Sequence, residues 1–248
     1  HAFNVESFYA NEATTAGTRD QMIGAILSTS RTLPMMAPRR LVIVRHGETW
    51  DNAAGVWQGQ LDSPLSDRGR AQATAMAPLV AALAPQRIVS SDLSRARDTA
   101  AAISSATGIP VALDPRLREI HAGQWQGLTS EQVKARDPEL WAAVLAGEDR
   151  RRGHTGENLA EVLARCTEAV SELVAELAPG ECAVIVTHGV AGRCMASAVL
   201  DLDLDLAWRV LGGFGNCHWS EVDEGARGWR LTSWNVGAPA GEVAGADA

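Results

Sequence analysis

The chain has 248 residues, of which only one is lysine and four are cysteine. Lys134 is its one lysine, and a formal net charge of −8 disfavours nucleic acid or an anionic membrane as the main partner. Its four cysteines include no C-x-x-C pair, which disfavours zinc-finger and thioredoxin-type sites and fits a reducing cytoplasm. No apolar run approaches the ~20 residues of a transmembrane helix. With 46% hydrophobic and 21% charged residues, the composition is that of a soluble globular protein, for which the cysteine usage predicts a cytoplasmic location.

The two ends of the chain differ from its middle. Residues 1–36 mix small and polar residues without sustained periodicity, and Met35 and Met36 stand directly before the segment APRR. We therefore predict an extension over residues 1–36 that is poorly ordered or foreign to the natural protein, with a docking role as the alternative. A folded domain is predicted over residues 37–240, followed by a tail over residues 241–248.

Strand-like and helix-like patterns alternate through the predicted domain. Short apolar runs bounded by turn residues predict buried strands, and apolar residues at three- and four-residue steps predict helices. The clearest helix pattern lies between Glu157 and Ala178. Two strand patterns near the C terminus predict a hairpin, whose edge could pair with a second copy to give a homodimer. We expect an α/β three-layer sandwich with a mostly parallel central sheet and helices on both faces.

Two of the predicted strands run directly into a histidine-glycine pair, at His46 and His188. The carboxyl ends of parallel strands meet at one edge of a sheet, where α/β proteins bind their ligands. From the Arg45-His46 pair alone, an ordinary surface loop is an equally good interpretation. The second histidine favours a site, because Arg95 and Glu119 also follow strand ends of the same sheet.

These residue types suit phosphoryl transfer. Two arginines can neutralise a phosphoryl dianion, and a neutral imidazole can attack phosphorus to form a phosphoenzyme. A second histidine can donate a hydrogen bond to the phosphoryl oxygens, and a carboxylic acid can protonate the leaving alkoxide. Because the arginines supply the positive charge, we predict that the reaction requires no metal ion and no cofactor.

Four segments, in this order along the chain, resemble the motifs of the histidine phosphatase superfamily, which includes cofactor-dependent phosphoglycerate mutase. They are RHGETWDN at residues 45–52, SSDLSRA at 90–96, LREIHAGQWQG at 117–127 and VTHG at 186–189. The resemblance spans about residues 39–236 and implies a phosphoglycerate mutase-like fold.

The resemblance also implies a role for each matching residue. His46 would be the phosphorylated nucleophile and Glu119 the general acid, while Arg45, Arg95 and His188 would hold the phosphoryl group. The catalytic set is then His46, Glu119, His188, Arg45 and Arg95, and the substrate-binding set is Arg45, Asn52, Gln58, Gly59, Arg95, His188 and Gly189.

Hydrolysis is favoured over a phosphoglycerate mutase-type isomerisation. The mutases of this superfamily carry a longer, basic and tyrosine-bearing insertion after the glutamate motif than the segment between His121 and Thr155. A pseudo-enzyme that only binds phosphorylated ligands is the other alternative, although such a protein would be expected to lack one of the catalytic residues.

The C-terminal region carries a finer resemblance. LGGFGNCHW at residues 211–219, WRL at 229–231 and SWN at 233–235 resemble the actinobacterial glucosyl-3-phosphoglycerate phosphatases. This implies a small phosphomonoester as the partner, with glucosyl-3-phosphoglycerate as the expected substrate.

Overall fold

The computed structural model describes residues 37–239. The predicted extension over residues 1–36 and the tail over residues 241–248 lie outside the described residues, so both stay predictions, as does the end of the domain at residue 240.

Within residues 37–239, six strands form one sheet. The strands are β1 (Arg40–Arg45), β2 (Arg87–Ser90), β3 (Val111–Leu113), β4 (Cys182–Thr187), β5 (Trp219–Gly225) and β6 (Gly228–Val236). The helices are α1 (Trp50–Ala53), α2 (Asp67–Ala81), α3 (Ser94–Thr107), α4 (Ser130–Arg136), α5 (Pro138–Leu145), α6 (Leu159–Glu176), α7 (Gly189–Val199) and α8 (Leu204–Val210). Two single turns of 3-10 helix lie at Pro115–Leu117 and Gly123–Trp125.

The strand order is β3-β2-β4-β1-β5-β6. The first four strands are parallel, whereas β5 runs antiparallel to β1 and β6 antiparallel to β5. The predicted α/β fold with a mostly parallel sheet is confirmed. Arg45 of β1 pairs with Thr187 of β4, so both strands end at the same edge and place His46 and His188 side by side.

Alternation along the central strands produces a core on each face of the sheet, because successive side chains of a strand point to opposite faces. Leu41 and Ile43 of β1 belong to the core shared with α6 and α7. Val42 and Val44 belong to the core shared with α2 and α3. Both faces are thus covered by helices, which explains why β1 and β4 are almost uniformly apolar.

Capping side chains fix the starts of α2 and α6. The Ser66 hydroxyl accepts a hydrogen bond from the backbone N–H of Gly69 (3.0 Å), and this cap opens α2. Asn158 caps α6 and forms a reciprocal capping box with Glu161. The sequence predicts these helices over residues 67 to about 83 and 157 to 178, so predicted and observed ends differ by two residues at most, and Pro78 lies inside the last turn of α2.

The C-terminal hairpin is longer than predicted. The strands predicted over residues 217–222 and 229–234 correspond to β5 and β6. Strand β6 forms an outer edge of the sheet. Pairing of two copies through this edge stays a prediction. None of the helices described is long and apolar enough to cross a bilayer.

Candidate active site

A cavity of about 250 Å³ opens where β1 and β4 end. His188 lies beside it in ring contact with His46, with the two ring centroids 5.0 Å apart. A Cβ placed on Gly189 would lie 3.6 Å from Nε of Arg45, so this glycine adjoins the same site. The predicted site residues that line the cavity are Arg45, His46, Asn52, Gln58, Gly59, Arg95 and Glu119.

His46 is held in one tautomer. Its Nδ1 lies 2.7 Å from the carbonyl oxygen of Gly47, and because a carbonyl only accepts, Nδ1 carries the proton and Nε2 keeps its lone pair. Burial, followed by the charges of Arg95 and Arg45, lowers the pKa of His46 well below its ordinary value. The imidazole is therefore neutral at physiological pH, as a nucleophile must be.

His188 is fixed by two partners. Its Nδ1 accepts a hydrogen bond from Nε of Arg95 (3.2 Å), which leaves Nε2 to donate to the hydroxyl of Ser91 (2.9 Å). Burial, and then the charge of Arg95, lowers the pKa of His188 well below its ordinary value. His188 thus presents a neutral ring with its proton on Nε2. Ser91 belongs to the SSDLSRA motif, but nothing in the sequence indicates this contact with His188.

Arg95 connects His188 to the loop at the cavity wall. Its terminal nitrogens donate to the carbonyl oxygens of Gly59 and Leu61, each at 2.7 Å. Burial lowers its pKa to about 10, so the guanidinium stays charged at neutral pH. Three of its five N–H groups have protein partners, and one on each terminal nitrogen is left for a ligand.

Arg45 and Asn52 are held by the segment before β5. Arg45 donates to the carbonyl of Phe214, and its buried Nε has no partner among the described residues. The Asn216 amide nitrogen donates to the His46 carbonyl (3.0 Å) and to Oδ1 of Asn52 (3.2 Å). Sequence reasoning missed these supports, because their signal is a backbone carbonyl and an asparagine in a loop.

Glu119 is anchored at the amino end of α7. Its Oε2 accepts from the backbone N–H of Val190 (3.1 Å), and its Oε1 accepts from those of Ala191 (3.0 Å) and Ile120 (2.9 Å). These contacts fix a carboxyl group at the cavity wall beside the arginines.

The loop carrying Gln58 and Gly59 closes the wall. Gln58 is buried, and its Oε1 has no hydrogen-bond partner among the described residues, so it can accept from a ligand. Gly59 has φ +53°, and a Cβ there would lie 2.5 Å from the side chain of Gln126 and 2.8 Å from the backbone of Ala122. Only glycine fits this position.

Trp57, His121 and His154 lie outside the predicted set of site residues. Trp57 packs against the small core around Trp125, as expected of a tryptophan, and it also lines the cavity and donates from Nε1 to Ser130 (3.1 Å). His121 accepts from the backbone of Gly123, and His154 is exposed near Asp137, so neither faces the cavity. Among residues 37–239, no three His, Cys, Asp or Glu side chains are grouped closely enough to bind a metal ion.

A neutral buried histidine beside two arginines, a second histidine and an anchored carboxyl group defines a phosphoryl-transfer site on an α/β sheet. The profile of the Histidine phosphatase superfamily (branch 1) matches residues 41–237, and the chain belongs to this superfamily. The predicted resemblance is confirmed.

Similar proteins agree with this assignment. The chain is 43% identical over 222 residues to a glucosyl-3-phosphoglycerate phosphatase of Mycolicibacterium vanbaalenii, an alignment that covers 82% of this chain and 97% of that protein. A structure of mycobacterial glucosyl-3-phosphoglycerate phosphatase in complex with VO3 superposes with a TM-score of 0.74 at 43% identity, covering 80% of this chain and 99% of that chain. A probable phosphoglycerate mutase GpmB of Escherichia fergusonii is 34% identical over 209 residues, which are 84% of this chain and 95% of that protein.

Proposed function

We propose that the chain is a metal-independent phosphomonoesterase that acts through a phosphohistidine on His46, with glucosyl-3-phosphoglycerate as its substrate. The observation that carries the proposal is the unprotonated Nε2 of His46 at the cavity, held beside Arg45, Arg95 and His188. The substrate is supported by similarity to relatives named for that activity.

In the first half-reaction, Nε2 of His46 attacks phosphorus and the bond to the leaving oxygen breaks. The free N–H groups of Arg45 and Arg95 neutralise the charge on the phosphoryl oxygens, and the Nε2–H of His188 donates to the same oxygens when they replace the Ser91 hydroxyl as its acceptor. Glu119 protonates the leaving alkoxide, which departs as an alcohol.

In the second half-reaction, water replaces the alcohol. The Glu119 carboxylate takes a proton from the water, whose oxygen attacks phosphorus and breaks the bond to Nε2 of His46. Inorganic phosphate leaves, and His46 and Glu119 return to their starting protonation states.

The cavity favours hydrolysis over mutase chemistry. Arg45 and Arg95 are the cationic side chains of its described lining, and both are committed to a single phosphoryl group. A bisphosphoglycerate would bring a second phosphate without a cation to meet it. The remaining polar lining residues are neutral (Asn52, Gln58 and Ser130), which fits a hydroxyl-bearing sugar.

The nucleophile is tested by His46→Ala assayed on p-nitrophenyl phosphate, with the exposed His154→Ala as the matched control. We expect His46→Ala to lose the activity, His154→Ala to keep it, and the wild type to keep it in EDTA. Full activity in His46→Ala would overturn the mechanism, and loss of wild-type activity in EDTA would overturn metal independence.

The substrate is tested by a kcat/KM panel of glucosyl-3-phosphoglycerate, 3-phosphoglycerate and common sugar phosphates, with a mutase assay in parallel. We expect the glucosyl compound to have the highest kcat/KM and the mutase rate to be negligible. Comparable values across the panel would overturn the substrate assignment while leaving the phosphatase chemistry in place.

A further inference from the structure

The backbone that carries Glu119 lacks the support of a strand. Between the 3-10 turn at Pro115–Leu117 and the one at Gly123–Trp125, the chain has no sheet partner. Its carbonyl groups must therefore find hydrogen-bond donors elsewhere, since buried carbonyls without partners are costly. The carboxyl group of Glu119 can be placed accurately only if this segment is held.

Arg165 of α6 supplies that support. Its Nη1 donates to the carbonyl oxygens of Arg116 (2.7 Å) and Arg118 (2.5 Å), and its Nη2 donates to that of Glu119 itself (3.0 Å). The side chain is only 17% exposed, so water cannot easily replace these contacts. One guanidinium thus fastens three carbonyls of the segment, including that of the residue proposed as the general acid.

Glu157 occupies the remaining donors of Arg165. Its Oε1 accepts from Nε and its Oε2 from Nη2, each at 2.9 Å. The same Oε2 accepts from the backbone N–H of His121 (2.8 Å), on the far side of Glu119 in the chain. All five N–H groups of Arg165 are then used, and the segment is tied on both sides of Glu119.

We propose that Arg165 and Glu157 form a positioning pair that sets the location of the general acid Glu119. The proposal rests on the proposed function, because it assigns the pair an effect on protonation of the leaving group. Neither residue lines the cavity, so the pair acts through Glu119 and does not touch the substrate.

The pair has a signature that a purely structural role lacks. p-Nitrophenolate leaves readily without a proton, whereas the alkoxide of a sugar or glycerate phosphate needs one. A misplacement of the acid by about 1 Å can cost about 10²-fold in rate. The ratio of kcat/KM for 3-phosphoglycerate to that for p-nitrophenyl phosphate therefore reports the acid, and it is independent of how much enzyme is folded.

We expect Arg165→Met to lower this ratio at least about tenfold, and Glu157→Gln to lower it in the same direction. Arg165→Lys keeps the charge but offers three donors in place of five, and should restore part of the ratio. The matched control is Arg209→Met, an exposed arginine of α8 that pairs with Asp205 and should leave the ratio unchanged. An unchanged ratio in Arg165→Met and Glu157→Gln would overturn the proposal.

A double-mutant cycle separates this proposal from the proposed function. If Arg165 acts through Glu119, adding Arg165→Met to Glu119→Gln should not lower the ratio further. A further decrease in that background would overturn the positioning role. If Glu119→Gln itself left the ratio unchanged, the assignment of Glu119 as the acid would fail, and the positioning role with it.

Discussion

Arg95 contacts three parts of the site at once, so position 95 requires the planar, five-donor guanidinium of arginine and not only a positive charge. Its guanidinium contacts Nδ1 of His188 and the carbonyls of Gly59 and Leu61, and retains two N–H groups for phosphate. An ammonium group offers three donors at one point and cannot span these acceptors. We expect Arg95→Lys to lower kcat/KM on p-nitrophenyl phosphate by about 10²-fold or more.

The matched control for that prediction lies two residues further along α3. Arg97 is exposed and paired with Asp98, so Arg97→Lys should leave kcat/KM unchanged. Equal activity in Arg95→Lys and Arg97→Lys would show that charge alone suffices at position 95.

Some residues of the site can be predicted from the sequence, and others cannot. His46 and His188 could be found because each directly follows a buried strand and belongs to a motif, and Glu119 because it belongs to a motif. Ser91, Asn216 and Arg165 could not be assigned, because their roles depend on partners distant in the sequence and often on backbone carbonyls. Such acceptors exist at every position and carry no side-chain signature.

At the scale of elements, the loop after β1 meets the first turn of α2 with no space for a side chain. A Cβ on Gly69 would lie 1.9 Å from the carbonyl oxygen of Glu48, and one on Gly47 would lie 2.5 Å from that of Gly69. We expect Gly69→Ala to destabilise the protein by about 1–3 kcal/mol or more, because the two backbones must separate.

The measurement is a thermal melt, where each kcal/mol should lower Tm by about 2–4 °C in a protein of this size. Gly212→Ala is the matched control, since a Cβ there meets nothing within 4 Å and its φ is not positive. An unchanged Tm in Gly69→Ala would show that the loop and the helix can separate without loss of stability.

The periodicity of the sequence predicts which segments are helices and which are strands, but it does not predict the order of the strands in the sheet. The apolar runs at residues 87–90, 111–113 and 182–187 stand between clear turn signals, and they predict strands with the bounds that β2, β3 and β4 have. Helix α8 was missed, because DLDLDL at residues 201–206 alternates polar and apolar residues, which is not a helical period. The position of β4 between β1 and β2 is set by crossover connections, which leave no local pattern.

At the scale of the whole molecule, two neutral buried histidines set how stability depends on pH. His46 and His188 have pKa values well below 6.5 in the folded protein, whereas the unfolded chain binds protons at both from about pH 6.5 downward. The unfolded state then binds more protons than the folded one, so the free energy of unfolding falls as pH falls. Carboxylates such as Asp92, whose pKa is lowered by hydrogen bonds from Arg118, add their own loss only nearer pH 4.

Between pH 6 and pH 5 the histidines therefore dominate, each contributing up to about 1.4 kcal/mol per pH unit. We expect urea unfolding to give a free energy that falls by up to about 2.7 kcal/mol over this unit in the wild type. His46→Asn removes one of the two groups and should reduce this decrease by up to half, whatever its effect on stability at pH 7. The quantity to compare is the slope of the free energy of unfolding against pH. Loss of a contact lowers this free energy equally at every pH, whereas loss of a proton-binding site changes the slope. An equal slope in His46→Asn and the wild type would mean that His46 binds its proton equally in the folded and unfolded chains, and hence that burial and the neighbouring arginines do not hold it neutral.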